Sequence, residues 1–294
     1  MQQQMPRMAT EEIAGWYPIH DNHAIATMAA VVTFAQPIPD RLLKTILQAS
    51  EQAASELGLR SRAPIKAFQF AVGSDGMVQT GPWGGVPGQS FDALFETADG
   101  APISTQVAEQ LQADQRTVIY RTWRYVSWKW QFDRICKLMT PALERVESAV
   151  AFASIRLEYL DRFRFEGDAA AADTKQLLRV DCPFIAPHVF LAQDLWHSHT
   201  GSFLATVGRR KRLQQVIINA IEEPYPPQEG VAPVRWINIT TALEDRFTQL
   251  PSDDQEIDVI SVFQTLDTMH ASLKEILASV ITEALAKQIY LREA

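Results

Sequence analysis

A chain of 294 residues with 47% hydrophobic and 21% charged side chains holds enough apolar material for a substantial core, which excludes a wholly disordered protein. A formal charge of −8 sets the mean field against phosphate backbones and anionic membrane surfaces, so nonspecific nucleic-acid binding is disfavoured. No apolar run approaches the roughly 20 residues of a spanning helix, and the opening Met1-Gln2-Gln3-Gln4-Met5-Pro6-Arg7 lacks the apolar core of a secretory signal. The expectation is a cytoplasmic protein with no membrane partner.

Residues 1–20 show no sustained period and read as a flexible arm. The β-branched and apolar run Ile25–Phe34, closed by Pro37 and Pro39, reads as the first strand. Asp40 then stands as an N-cap ahead of Leu43, Ile46, Leu47, Ala53, Ala54 and Leu57 at helical spacing, with Gly58 as the stop. Phe68, Phe70 and Val72 alternate with small or polar residues up to Gly73-Ser74-Asp75-Gly76, after which Met77-Val78-Gln79 resumes, a hairpin pattern. The next stretch, Gly81-Pro82-Trp83-Gly84-Gly85-Val86-Pro87-Gly88, is a loop whose Trp83 either packs back on the core or tips a lid. It lacks the Gly-Lys-Ser/Thr ending of a phosphate loop.

Ser90 and Thr105 read as caps of short helices, 118–125 as a strand and 129–146 as a helix bent at Pro141. Ile155, Leu157, Tyr159, Phe163 and Phe165 then alternate with Arg156, Glu158, Arg162 and Arg164, the clearest strand in the chain. Its parity places Asp161 on the buried side, where a carboxylate needs an Arg, a Lys or backbone donors beside it. Residues 167–174 are small and polar and mark a boundary. Beyond them come a helical or irregular stretch at 187–196, strands at 202–207, 213–221 and 236–239, and a long closing helix over 257–289. The expected class is α+β: antiparallel sheet with helices on one side, an N-terminal half 21–167 and a C-terminal half 175–294.

Cys136 and Cys182 have no zinc spacing and read as reduced thiols. His188, His197 and His199, with Asp194 between them, are the one local set with metal-ligand chemistry and would serve a metal-dependent hydrolase or lyase. Tyr120, Trp123, Tyr125, Trp128, Trp130 and Phe132 interleave with Arg121, Arg124 and Lys129, and Arg209-Arg210-Lys211-Arg212 is the one basic run. Together these would suit a nucleic-acid-binding module if they shared a face. The preferred reading makes the aromatics core anchors and the basic run a solvated turn. His270, at the edge of the closing helix's apolar stripe, reads as a hydrogen-bonded structural histidine. No nucleophile elbow, dinucleotide fingerprint, zinc-protease helix or kinase set occurs, and no cofactor is expected. The first reading is therefore a noncatalytic interaction protein that binds a protein partner or itself. Trp83, Trp123, Trp128 and the basic run are its contact candidates.

In order along the chain, Ala29-Ala30-Val31-Val32-Thr33-Phe34, Met77-Val78-Gln79-Thr80-Gly81, Arg124-Tyr125-Val126-Ser127-Trp128, Ile155-Arg156-Leu157-Glu158-Tyr159-Leu160-Asp161-Arg162-Phe163, and the helix Leu266-Asp267-Thr268-Met269-His270 to Val280-Ile281-Thr282 resemble the landmarks of one family. It is a sporadically distributed, uncharacterised bacterial family of roughly 250 to 300 residues. The middle strand is similar to that family's Leu-Arg-Tyr-Ile-Asn-Arg-Ile, with Asp161 at its Asn. The family's late acidic pair is replaced here by Asn238 and Thr240. The resemblance implies a bacterial setting and no mechanism; the family's patchy occurrence implies an accessory role in a defence or mobile-element module.

Overall fold

The computed structural model describes residues 15–65, 68–72, 78–82, 86, 88–96, 102–192, 194–204, 210–225, 232–247 and 257–291. Its elements, in chain order, begin with β1 (Gly15–Pro18), β2 (Ile25–Phe34), α1 (Asp40–Glu56) and β3 (Ser61–Pro64). There follow β4 (Phe68–Val72), β5 (Val78–Pro82), β6 (Gln89–Glu96), β7 (Pro102–Ala113), β8 (Thr117–Thr122), α2 (Trp128–Glu147) and β9 (Phe152–Glu166). The chain continues through β10 (His197–Phe203), β11 (Arg210–Pro224), β12 (Pro233–Phe247), α3 (Val259–Val280) and α4 (Glu283–Gln288). Among the described residues the order β10-β11-β12-β9-β2-β8-β7-β6-β3 makes one sheet, which counts ten strands with β1 on β9, and its pairings are antiparallel. The expected hairpin at 68–82 is the separate pair β4-β5, its turn lying outside the described residues. The result is a mixed α+β protein, and among the described residues no helix is long and apolar enough to cross a membrane.

β9 organises the sheet. Its alternation buries Ile155, Leu157, Tyr159, Asp161, Phe163 and Phe165 and turns Arg156, Glu158, Arg162 and Arg164 to the other face. One edge of β9 bonds β12; the other bonds β2 and then β1. Strands from before and after residues 167–174 thus share one sheet, and residues 15–18 of the expected arm are part of it. Bonds to the helices leave from the buried face: Tyr159 reaches His270 of α3, Tyr120 reaches Gln131 of α2, and Glu109 reaches Arg134 of α2.

Local signals explain most ends. α1 begins after Pro39 rather than with a side-chain cap from Asp40, and it stops where Gly58 adopts φ +89°. There the Leu59 N–H donates to the Ala54 carbonyl and the Gly58 N–H to the Ser55 carbonyl, a Schellman ending that a residue with a Cβ adopts at a cost. Ser127 caps α2 by accepting from the Trp130 N–H.

Two further expectations change. The helices expected at Ser90 and Thr105 are β6 and β7, because cross-strand pairing overrides the helix preference of this Ala-, Glu- and Gln-containing stretch. The closing helix is also interrupted. At Val280-Ile281-Thr282, three β-branched residues in a row, Ile281 turns extended and bridges Leu178, while the Thr282 N–H donates to the Leu177 carbonyl.

Candidate functional site

Asp161 lies where alternation puts it, 1% exposed, opposite Ile239 of β12 and Ile25 of β2. The expected partner is not there: its Oδ1 has no hydrogen bond. The arginines that flank it in sequence point to the opposite face, where Arg156 pairs with Glu158, Arg162 with Glu223 and Asn238, and Arg164 with Glu166. Burial alone pushes the Asp161 carboxyl up to about 7.

What surrounds this carboxylate is a chain of rings. Asp161 acts electrostatically on Tyr125 and Tyr159, whose ring centroids are 6.1 Å apart, and burial raises both phenols. The Tyr159 hydroxyl and His270 Nδ1 share a 2.8 Å hydrogen bond whose donor depends on the imidazole tautomer. Trp128 stacks on His270 at 4.2 Å with planes 10° apart and donates from Nε1 to Asp267 at 2.7 Å. Burial, helped by Lys274 and opposed by Asp267, pulls His270 down to about 4, so its imidazole is neutral at pH 7. His270 is thus a hydrogen-bonded histidine, and its partner Tyr159 stands two residues before Asp161 on the buried face of β9.

In the other direction the chain of rings opens into a cleft. The His23 ring stands edge-on to Tyr125 at 5.5 Å and lies 4.7 Å from His20. The backbone explains why residues 20–23 stand out here. β1 and β2 share one edge of β9, with the Ile19 N–H donating to the Arg162 carbonyl and the Arg162 N–H donating to the Ala24 carbonyl. Both ends of the connection are pinned to one residue, so what lies between must bulge. Across from it, the Trp123 N–H extends the ladder to Ala108, and the Arg124 N–H donates to Thr122 Oγ1, turning the chain toward α2. Ile19, His20, Asp21, Asn22, His23, Phe95, Trp123, Arg124 and Tyr125 line a cavity of about 500 Å³.

Burial lowers both His20 and His23; Asp21 works against this at His20, and the carbonyls of Tyr125 and Ile25 work against it at His23. The cleft therefore holds two uncharged imidazoles at neutral pH. His23 Nδ1 is buried without a hydrogen bond. Arg124 is exposed, with no ion pair among the described residues. Trp123 carries the Arg121 guanidinium over its ring at 5.7 Å.

Two other buried carboxylates are paired. Glu109 receives two bonds of 2.5 Å from Arg134 and one of 2.7 Å from Tyr120, whose oxygen in turn accepts from Gln131. Asp245, with no exposed side-chain surface, holds Arg212 at 2.6 Å and Arg210 at 3.3 Å. The basic run is therefore no free turn: Arg210 and Arg212 serve Asp245, Lys211 lies over the Phe203 ring at 4.3 Å, and Arg209 lies outside the described residues. Nor does it share a place with the aromatic segment. Lys211 is opposite Arg246, Arg246 opposite Ser154, Ser154 opposite Thr33, and Thr33 opposite Thr117 at the start of β8, whereas Trp123 follows its end.

His197 and His199 point to one side of β10 as their spacing implies, both exposed, and His188 is exposed on a short 3-10 turn. Among the described residues no group of three or more His, Cys, Asp or Glu side chains could hold a metal ion. Cys136 and Cys182 are free thiols; burial pushes Cys136 up to about 11. Trp83 lies outside the described residues. His20, Asn22, His23 and Phe95 escaped the sequence reading, although the polar break between Pro18 and Ile25 was the available signal. No protein-family model and no curated protein matches the chain.

Proposed function

We propose that the protein is a noncatalytic binding module whose ligand seat is the cleft between residues 19–23 and 123–125. The observation that carries this reading is a cavity of about 500 Å³ that gathers the rings of His20, His23, Phe95, Trp123 and Tyr125 beside the exposed Arg124, a size that suits a small molecule. The lining has no Ser, Thr, Cys or Lys, its reactive side chains being His20, Asp21, His23 and Tyr125, and Asp161, raised to about 7, is not part of it. The family resemblance supports a bacterial setting for this role. The test is a thermal-shift screen repeated on Trp123→Ala. Compounds that stabilise the wild type by roughly 2.7 kcal/mol at 100-fold excess over Kd should lose that effect in the variant and be recovered chemically unchanged. Turnover of a bound compound would sink the noncatalytic reading.

A protein partner is the second reading, favoured by the edge strand β10. Phe203 and Leu204 at its end, with Leu191 and Leu195 before it, are exposed, Leu191 by 80%. Gly201→Pro should then abolish any oligomer or complex seen by light scattering; unaltered assembly would remove β10 from the account.

A further inference from the structure

Resting on the cleft being a ligand seat, we infer that it takes a planar aromatic molecule bearing an anionic group. Phe95, Trp123 and Tyr125 contribute three aromatic surfaces to one small volume, and a flat ring stacks on such surfaces whatever its substituents. Arg124 supplies the second half of the recognition. Its guanidinium has no carboxylate of its own among the described residues, and a planar fork of donors matches a carboxylate or phosphate in two parallel hydrogen bonds.

The remaining lining fixes orientation. Burial holds His20 and His23 uncharged at neutral pH, so they offer hydrogen bonds without repelling either sign of charge. Asp21 adjoins His20, so the loop side repels an anion and the charged end of the ligand belongs at Arg124. A cationic ligand would meet Arg124 at the rim.

A nucleoside monophosphate and an aromatic acid share this ring-plus-anion chemistry. Titration calorimetry on the full chain, with imidazole NMR signals of His20 and His23 reporting the site, separates them using AMP, adenosine, inorganic phosphate, 4-hydroxybenzoate, phenol and tyramine. AMP or 4-hydroxybenzoate should bind at least about tenfold more tightly than its uncharged ring or than phosphate alone. The tighter of the two names the source. Arg124→Gln, a change at an exposed side chain, should remove that advantage while leaving adenosine or phenol binding unchanged; Trp123→Ala should weaken both. If tyramine or phenol binds at the imidazoles as well as 4-hydroxybenzoate, the anionic class is overturned and the seat stands. If no probe moves the imidazole signals at millimolar concentration, the seat falls with it.

Discussion

Glu109 on β7 and Asp161 on β9 lie on the same face of the same sheet and are equally buried, yet one sits in a closed set of bonds and the other has an empty oxygen. The difference comes from the helix above each. α2 presents Arg134 and Gln131 over Glu109 and Tyr120, and only Gln131 Oε1 of that group lacks a partner. α3 presents His270 over Tyr159, and among the described residues no cation pairs with Asp161. Strand parity decides that a carboxylate is buried; the helix residue that meets it decides whether it is held as a charge.

The contrast can be broken hardest at Arg134. Arg134→Met leaves Glu109 buried without its cation and should cost about 3–5 kcal/mol in denaturant unfolding, against little for a comparable exposed substitution such as Arg124→Gln. The next effect is in pH. Asp161 has a native value raised to about 7, so from about pH 4 to 7 the native state holds a proton the unfolded chain has lost, and stability falls as pH rises. His270 works the other way: its native value near 4 lies below the unfolded one, so between about 4 and 6.5 the unfolded chain holds the extra proton and stability rises with pH. The two slopes oppose each other in the wild type. Asp161→Asn should unmask the rise and leave the protein more stable than wild type at pH 8; His270→Asn should unmask the fall. Matching pH profiles for all three would erase the contrast. Tyr159→Phe, which strands His270 Nδ1, should cost about 1–2 kcal/mol. The smallest effect is expected for Trp128→Phe, which loses the bond to Asp267 while keeping a ring on His270, about 0.5–1 kcal/mol by thermal unfolding.

Much of this was legible in the chain. The two-residue period around Asp161 predicts its burial, and the helical stripe predicts that His270 is hydrogen-bonded, because both depend on local geometry alone. That His270 meets Tyr159, 111 residues before it in sequence, depends on how α3 crosses β9. The cleft was illegible for a similar reason: residues 15–18 have no strand pattern strong enough to stand alone and become a strand only because β9 extends past Ile25 to receive them. The same borrowing turned the Ser90 and Thr105 stretches into strands, and the capture of Ile281 by Leu178 cut the last helix short.

The placement of β2 between β8 and β9 has a consequence for biosynthesis. Its two neighbours lie at residues 117–122 and 152–166, so β2 leaves the ribosome with neither edge occupied and must wait for more than 80 residues before the first of them exists. Closing those pairs carries a high sequence separation and hence slow formation. In that interval Met28, Ala30, Val32 and Phe34, all buried in the finished sheet, form an exposed apolar face beside two unpaired backbone edges, a segment a chaperone would shield while synthesis continues.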